Sequence, residues 1–440
     1  MFDPSRLLMT TLALAVGPVA LAAAVQPARA QGSATAVDSR EVVDAARALV
    51  RDHYVIPETA AALDRALADA QAAGTFAGLS AQDLSEAINR TMKAVTPDGH
   101  LGASYNPARA ADLAVQHAAG GSQDQGLTAA MQRMIALNNG GVSKLEVLPG
   151  NVRYMDYTGF MWGAPEAQAA ITHAMEFMRQ GSAVIIDLRR NGGGSAEAVA
   201  DLASWFLPAD TPLMQFQTRE GPVETTKSSA KAFSLSDRPV YVLTSKRSFS
   251  AAEEFAAHVS AFGFGSLVGE TTGGGGFNNT FYPLPGGHVI SISTGQALQL
   301  KSGKGWERTG IAPAIAVPQD RALVRAQAEA LTALAAKAEA GEKAALDRIA
   351  PVFRAQAEPV DPARALAAYV GDYGPMKVTL EGDHLVALTP TGPSELVELG
   401  GDLFAPVVQP TFRVQFVFEG ETASAIELVT GNGTRRMPRS

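Results

Sequence analysis

Ala183-Val184-Ile185-Ile186-Asp187-Leu188 runs directly into Arg189-Arg190-Asn191-Gly192-Gly193-Gly194-Ser195. The opening run is apolar apart from Asp187 and does not alternate, the pattern of a strand covered on both faces of an α/β sheet. A glycine turn and a helical pattern from Ser195 to Phe206 complete a strand-turn-helix unit. Working outward, Val152, Tyr154 and Tyr157 mark a strand after Pro149-Gly150, and Pro165 to Arg179 reads as a helix. A strand from Val240 to Thr244, a helix from Ala251 to Phe262 and a short strand at Leu267 to Gly269 follow. Strands alternating with helices predict a layered α/β domain.

The flanks have a different period. From Ser39 to Val95 apolar residues recur every three or four positions, predicting a small helical unit, with Ser80 and Asp83 as a capping-box variant. Between Ala110 and Gly141 one helix is expected around Ala129 to Leu137. Residues 321–348, rich in Ala, Glu, Lys and Leu, predict a helical connector. Beyond Pro362 short alternating runs such as Phe412 to Phe418, with turns at Gly382-Asp383, Glu419-Gly420 and Gly431-Asn432-Gly433, predict a small barrel or sandwich.

The 440 residues are 46% hydrophobic and 18% charged, which excludes a disordered or fibrous chain. A formal net charge of −8 disfavours nucleic acid and anionic membranes as partners. With no cysteine, disulfides, thiolate metal sites and a cysteine nucleophile are removed. Residues 1–30 read as an export signal: Arg6, an apolar run from Leu7 to Val25, then Ala28-Arg29-Ala30 as a cleavage site. The remaining chain is expected to be periplasmic or secreted and free of the membrane.

Ser250 follows a predicted strand and opens a helix, where N–H groups and the helix dipole favour an oxyanion beside its hydroxyl. Ser250 with Glu253 is equally a plain capping box. The Asn191-Gly192-Gly193-Gly194 turn lets backbone amides approach a ligand, as an anion cradle or an oxyanion hole, or is simply a tight turn capped by Ser195. It lacks the residues of a P-loop or a dinucleotide site. Of seven histidines none forms a spaced metal pair, so neither metal nor organic cofactor is expected. His258 lies two helical turns beyond Ser250, whereas His100 sits in the turn Pro97-Asp98-Gly99-His100. Ser228-Ser229-Ala230-Lys231 is an SxxK pattern without the companion motifs of penicillin-recognising enzymes.

Asp98-Gly99-His100-Leu101, Leu148 to Tyr154, Asp187 to Gly194, Ser250 to Phe255, Val268 to Gly274 and Trp306-Glu307 occur in an order that resembles the S41 serine peptidases. The resemblance spans about residues 40–320 and implies a ClpP/crotonase-like layered α/β catalytic domain (106–320). A small helical domain (31–105) would precede it, and the connector (321–360) and a small all-β domain (361–440) would follow. It also implies Ser250 as nucleophile, His100 as general base and Glu307 as the acid behind the imidazole, with Gly193, Gly194 and Ala251 supplying oxyanion N–H groups. The processing-protease branch instead uses a lysine about 25 residues after the serine; here that position is Gly275, so the tricorn-core and retinoid-binding-protein-like branch is the nearer pattern. Tricorn-type members carry Ser before the histidine where this chain has Gly99, and Glu270 competes with Glu307 for the acid's role. The implied substrate is a peptide or unfolded protein, and a homo-oligomer is compatible with the family. A non-catalytic carrier of apolar ligands or peptides is the alternative on the same fold.

Overall fold

The computed structural model describes residues 38–118, 128–219, 221–390, 392–431 and 433–440; the expected export signal lies outside them. The chain begins with α1 (Ser39–His53), α2 (Pro57–Ala72) and α3 (Ala81–Val95), then β1 (Gly102–Tyr105), α4 (Pro107–Ala118) and α5 (Ala129–Leu137). Ser80 caps α3 by accepting the Asp83 N–H, as its position in the sequence predicts. Next come β2 (Val142–Leu148), β3 (Val152–Tyr157), α6 (Pro165–Arg179), β4 (Ala183–Asp187), α7 (Ala196–Ala203), β5 (Pro212–Thr218) and β6 (Glu224–Lys227). The core continues with β7 (Val240–Thr244), α8 (Ala251–Phe262), β8 (Ser266–Gly269), β9 (Phe277–Leu284), β10 (His288–Gln299) and β11 (Ile315–Ala316). Two helices, α9 (Ala322–Ala335) and α10 (Ala340–Ala357), precede the strands from β12 (Gly371–Tyr373) to β19 (Gly433–Pro438).

The central sheet has the order β11-β8-β7-β4-β3-β2, parallel except for β2. Its strands alternate between two cores. Val184, Ile186 and Leu188 point to the side packed by Ile171, Met175, Leu202 and Phe255. Ala183, Ile185, Leu243 and Val268 point to the other, where Ala322, Ala326 and Ala330 of α9 cover them. Residues expected as a connector thus form one wall of the core: alanines four apart line one helix face and let it approach the sheet closely.

A second, antiparallel sheet orders β1-β10-β5-β6, with β9 also on β10. Leu284, Ile290 and Ile292 from this sheet complete the core of α1, α2 and α3 around Leu63, Leu67 and Ile88. The helical unit is therefore half of a helix-on-sheet layer. The last eight strands form a sequential antiparallel sheet around Tyr369, Phe404 and Phe416. The Ser440 N–H donates to the Asp372 carbonyl, bringing the two ends of that sheet together. Among the described residues no helix is long and apolar enough to cross a membrane, and no group of three acidic or histidine side chains is arranged to hold a metal.

Candidate active site

The two strand-to-helix turns singled out in the sequence are stitched together. In the turn after β7, Ser248 Oγ donates to Leu188 O at 2.7 Å, Ser245 Oγ to Arg189 O at 2.7 Å, and the Phe249 N–H to Asn191 O at 3.1 Å. Both turns leave the carboxyl ends of neighbouring parallel strands, where open α/β sheets present their ligands. Gly193 then lies directly against the serine: a Cβ there would sit 2.7 Å from Ser250 Cβ and 3.2 Å from Ala251 N. With φ 110°, this position requires glycine on both steric and conformational grounds.

Ser250 itself has φ 55° and ψ −121°, a backbone conformation rare for a residue with a side chain. The reciprocal half of the expected capping box is present, because the Ser250 N–H donates to Glu253 Oε2 at 2.9 Å. The Glu253 N–H goes to the carbonyl oxygen of Ser250, at 2.8 Å.

Glu253, read from the sequence only as a cap, is fully buried and anchors the site. Besides Ser250 it accepts the Thr272 hydroxyl at 2.6 Å and the N–H groups of Gly274 at 2.7 Å and Gly275 at 2.6 Å. Replacing it with alanine strands those donors in the interior. Glu253→Ala is expected to lower stability by about 3–5 kcal/mol, measured as a fall in the denaturation midpoint; an unchanged midpoint would contradict the anchoring role.

His100 is presented by the turn ahead of β1. Asp98 is buried and accepts the His100 N–H at 2.8 Å, Tyr54 Oη at 3.0 Å and Ser293 Oγ at 2.6 Å, and Ser291 Oγ donates to His100 O. The imidazole packs on Phe249, ring centroids 4.7 Å apart. Its Nδ1 is buried with no hydrogen-bond partner among the described residues. Burial holds the imidazole below its ordinary 6.5, with the Asp98 charge opposing.

Glu307 accepts the N–H groups of Gly276 at 2.8 Å and Phe277 at 3.2 Å. Burial, and then the charge of Asp98, push its carboxyl up to about 7, against the lowering effect of those two N–H groups and Arg308. Ser250 follows Phe249 in the chain and His100 packs on its ring, while Glu307 is held by the N–H of Gly276, the residue after the Gly275 that borders that ring. No hydrogen bond joins Ser250 to His100, or His100 to Glu307, among the described residues.

Of the expected oxyanion donors, the Gly193 N–H is engaged by Asn191 Oδ1 at 2.9 Å, an Asx-type turn. The N–H groups of Gly194 and Ala251 have no partner among the described residues. Glu270 is set apart: its carboxylate accepts the Gln319 N–H near the start of α9. The SxxK reading fails on geometry, since Ser228 Oγ donates to Pro208 O while Lys231 pairs with Asp201 and lies over Trp205.

Residues 151–317 match peptidase family S41. The S41 segment spans β3 to β11 and holds Ser250, Gly193, Gly194 and Glu307, while His100 precedes it. The chain is 31% identical over 139 residues to the carboxy-terminal processing protease CtpB of Bacillus subtilis (strain 168), covering 31% of this chain and 28% of that one. It is 32% identical over 147 residues to a carboxyl-terminal-processing protease of Synechocystis sp. (strain ATCC 27184 / PCC 6803 / Kazusa), covering 33% of each. These matches span a third or less of the relatives' own length. Among solved structures, a lipoprotein from Streptococcus agalactiae is similar with a TM-score of 0.48 and 14% identity, covering 67% of this chain and 97% of that one.

Proposed function

We propose that the chain is a serine peptidase that cleaves peptide bonds through an acyl-enzyme on Ser250. The observation that carries this reading is the strained backbone of Ser250 on a strand-to-helix turn, with Gly193 in contact behind it. Ser250 Oγ attacks the scissile carbonyl carbon as its proton passes to His100. The oxyanion is met by the Ala251 N–H and by an amide of the glycine turn, of which Gly194 has the unengaged one. His100 returns the proton to the departing amine, and water repeats the sequence on the ester. Glu307 supplies the charge that stabilises the imidazolium. Substrate binding closes the Ser250 to His100 hydrogen bond, which is commonly long in a free enzyme.

Histidine rather than lysine as the base is supported at position 275. A Cβ on Gly275 would lie 2.3 Å from the Phe249 ring, so no lysine fits there. The activity is proposed to act outside the cytoplasm, residues 1–30 serving as the export leader.

The test is a fluorophosphonate probe, with the adduct mapped by mass spectrometry. Label on Ser250 is expected; label elsewhere, or none on a folded protein, overturns the reading.

A pH profile examines the roles of the other two groups. His100, held below 6.5, is a competent base across the neutral range, while Glu307 gains its charge only as pH rises through about 7. The rate should therefore climb through about 7, and Glu307→Gln should lose that limb. Stability runs the other way. The folded carboxyl keeps a proton that the unfolded one, titrating near 4.5, has released, so its stabilisation is full below 4.5 and lost as pH rises through 7. A rate profile identical in Glu307→Gln would remove Glu307 from the mechanism.

A further inference from the structure

We propose that Phe249 is a positioning residue: its ring, caged by three glycines, fixes the orientation of the His100 imidazole. The inference rests on His100 being the base.

Phe249 immediately precedes the nucleophile, and its backbone is already tied down through its N–H to Asn191 O. Its side chain does not join the large core on α8. It turns instead into space that glycines leave open: a Cβ on Gly99 would lie 2.7 Å from Phe249 Cζ, one on Gly275 2.3 Å from the same atom, and one on Gly273 2.8 Å from Cδ2. None of those glycines has the positive φ that favours glycine for conformational reasons. What they share is the ring, so their common requirement is the room it takes. They belong to two segments far apart in the chain, the turn bearing His100 and the loop ahead of β9.

The other face of the cage is the imidazole, tilted 33° to the phenyl ring at a centroid distance of 4.7 Å, the geometry of a favourable aromatic pair. The His100 main chain is fixed by Asp98 and Ser291, yet its Nδ1 has no hydrogen-bond partner among the described residues. Ring contact therefore restrains the imidazole where a hydrogen bond does not. Because Phe249 and Ser250 are consecutive, the residue that holds the base moves with the nucleophile. The same contact buries the imidazole, consistent with its depressed titration.

The experiment compares Phe249→Ala, Phe249→Leu, Gly99→Ser and the double variant Gly99→Ser/Phe249→Ala. Turnover of fluorescein-labelled casein and the rate of fluorophosphonate labelling are measured, with circular dichroism reporting the fold. Loss of orientation by about an ångström costs on the order of 100-fold in rate. Phe249→Ala is expected to lose that much in kcat with little change in KM. Phe249→Leu, which keeps bulk without a ring face, should lose about 10-fold. Gly99→Ser should be impaired by the clash, and because that clash needs the ring, the two losses should not add: the double variant should match Phe249→Ala.

Wild-type kcat in Phe249→Leu, or a double variant in which the losses of Gly99→Ser and Phe249→Ala simply add, would overturn the inference. Should Phe249→Ala fail to fold, Phe249→Leu still decides it. His100→Ala measured alongside separates the claims: wild-type turnover there removes the base itself, whereas an inactive His100→Ala beside a fully active Phe249→Leu removes only the role of Phe249.

Discussion

Ser250→Ala should abolish fluorophosphonate labelling and reduce peptide hydrolysis by about 10⁶-fold, the usual scale for deleting a serine nucleophile. The two other serine hydroxyls of the turn are engaged. Ser248 Oγ is committed to Leu188 O and Ser245 Oγ to Arg189 O, both within the turn. The substitution leaves the fold intact, because the bond from residue 250 to Glu253 uses the backbone N–H. It also leaves the strain, since alanine at φ 55° is no more comfortable than serine. Ser250→Gly, equally inactive, should be the more stable of the two by about 1 kcal/mol. Hydrolysis persisting in Ser250→Ala above a tenth of the wild-type rate would dispose of the nucleophile, and a glycine variant less stable than the alanine one would dispose of the strain.

His100→Ala is expected to cost about 10⁴- to 10⁶-fold in kcat. A serine hydroxyl is a weak nucleophile until a neighbour takes its proton. Glu253 is the nearest buried carboxylate in sequence, and it is already occupied by Ser250, Thr272, Gly274 and Gly275. The turn itself should survive, because Asp98 holds it through the backbone N–H of residue 100 and through Tyr54 and Ser293. The measurement is the rate at which the fluorophosphonate phosphonylates Ser250, with loss of fluoride, together with casein hydrolysis. A variant within tenfold of wild type would send the assignment of the base elsewhere.

The parallel core was legible because strands buried on both faces are written as unbroken apolar runs, as at Ala183 to Leu188. The turns at Gly193 and Ser250 were legible because glycines and a helix-opening serine punctuate the chain there. β10 was not: His288–Gln299 carries Ser291, Ser293, Thr294 and Gly295 among its apolar residues, and its bulge breaks the alternation near Ser293. The antiparallel sheet it centres was missed with it.

At the site, contacts within a motif could be anticipated from the residues, and contacts across the chain could not. The pairing of Asp98 with Tyr54 and Ser293 joins residues 44 and 195 positions apart, and nothing in their local sequence marks it. Gly193 is the instructive case: its place near Ser250 was implied only by the resemblance to a family, whereas the capture of its N–H by Asn191 Oδ1 depends on a side-chain rotamer that no spacing encodes.

The alanine face of α9 bears on how this architecture can be cut and recombined. The stretch recognisable as S41 stops at residue 317, just short of the helix that roofs Ile185, Leu243 and Val268. Excised on its own, it would carry a bare greasy floor and stick to its neighbours. A chimera exchanging catalytic modules with a relative must transplant the roof together with the room beneath it.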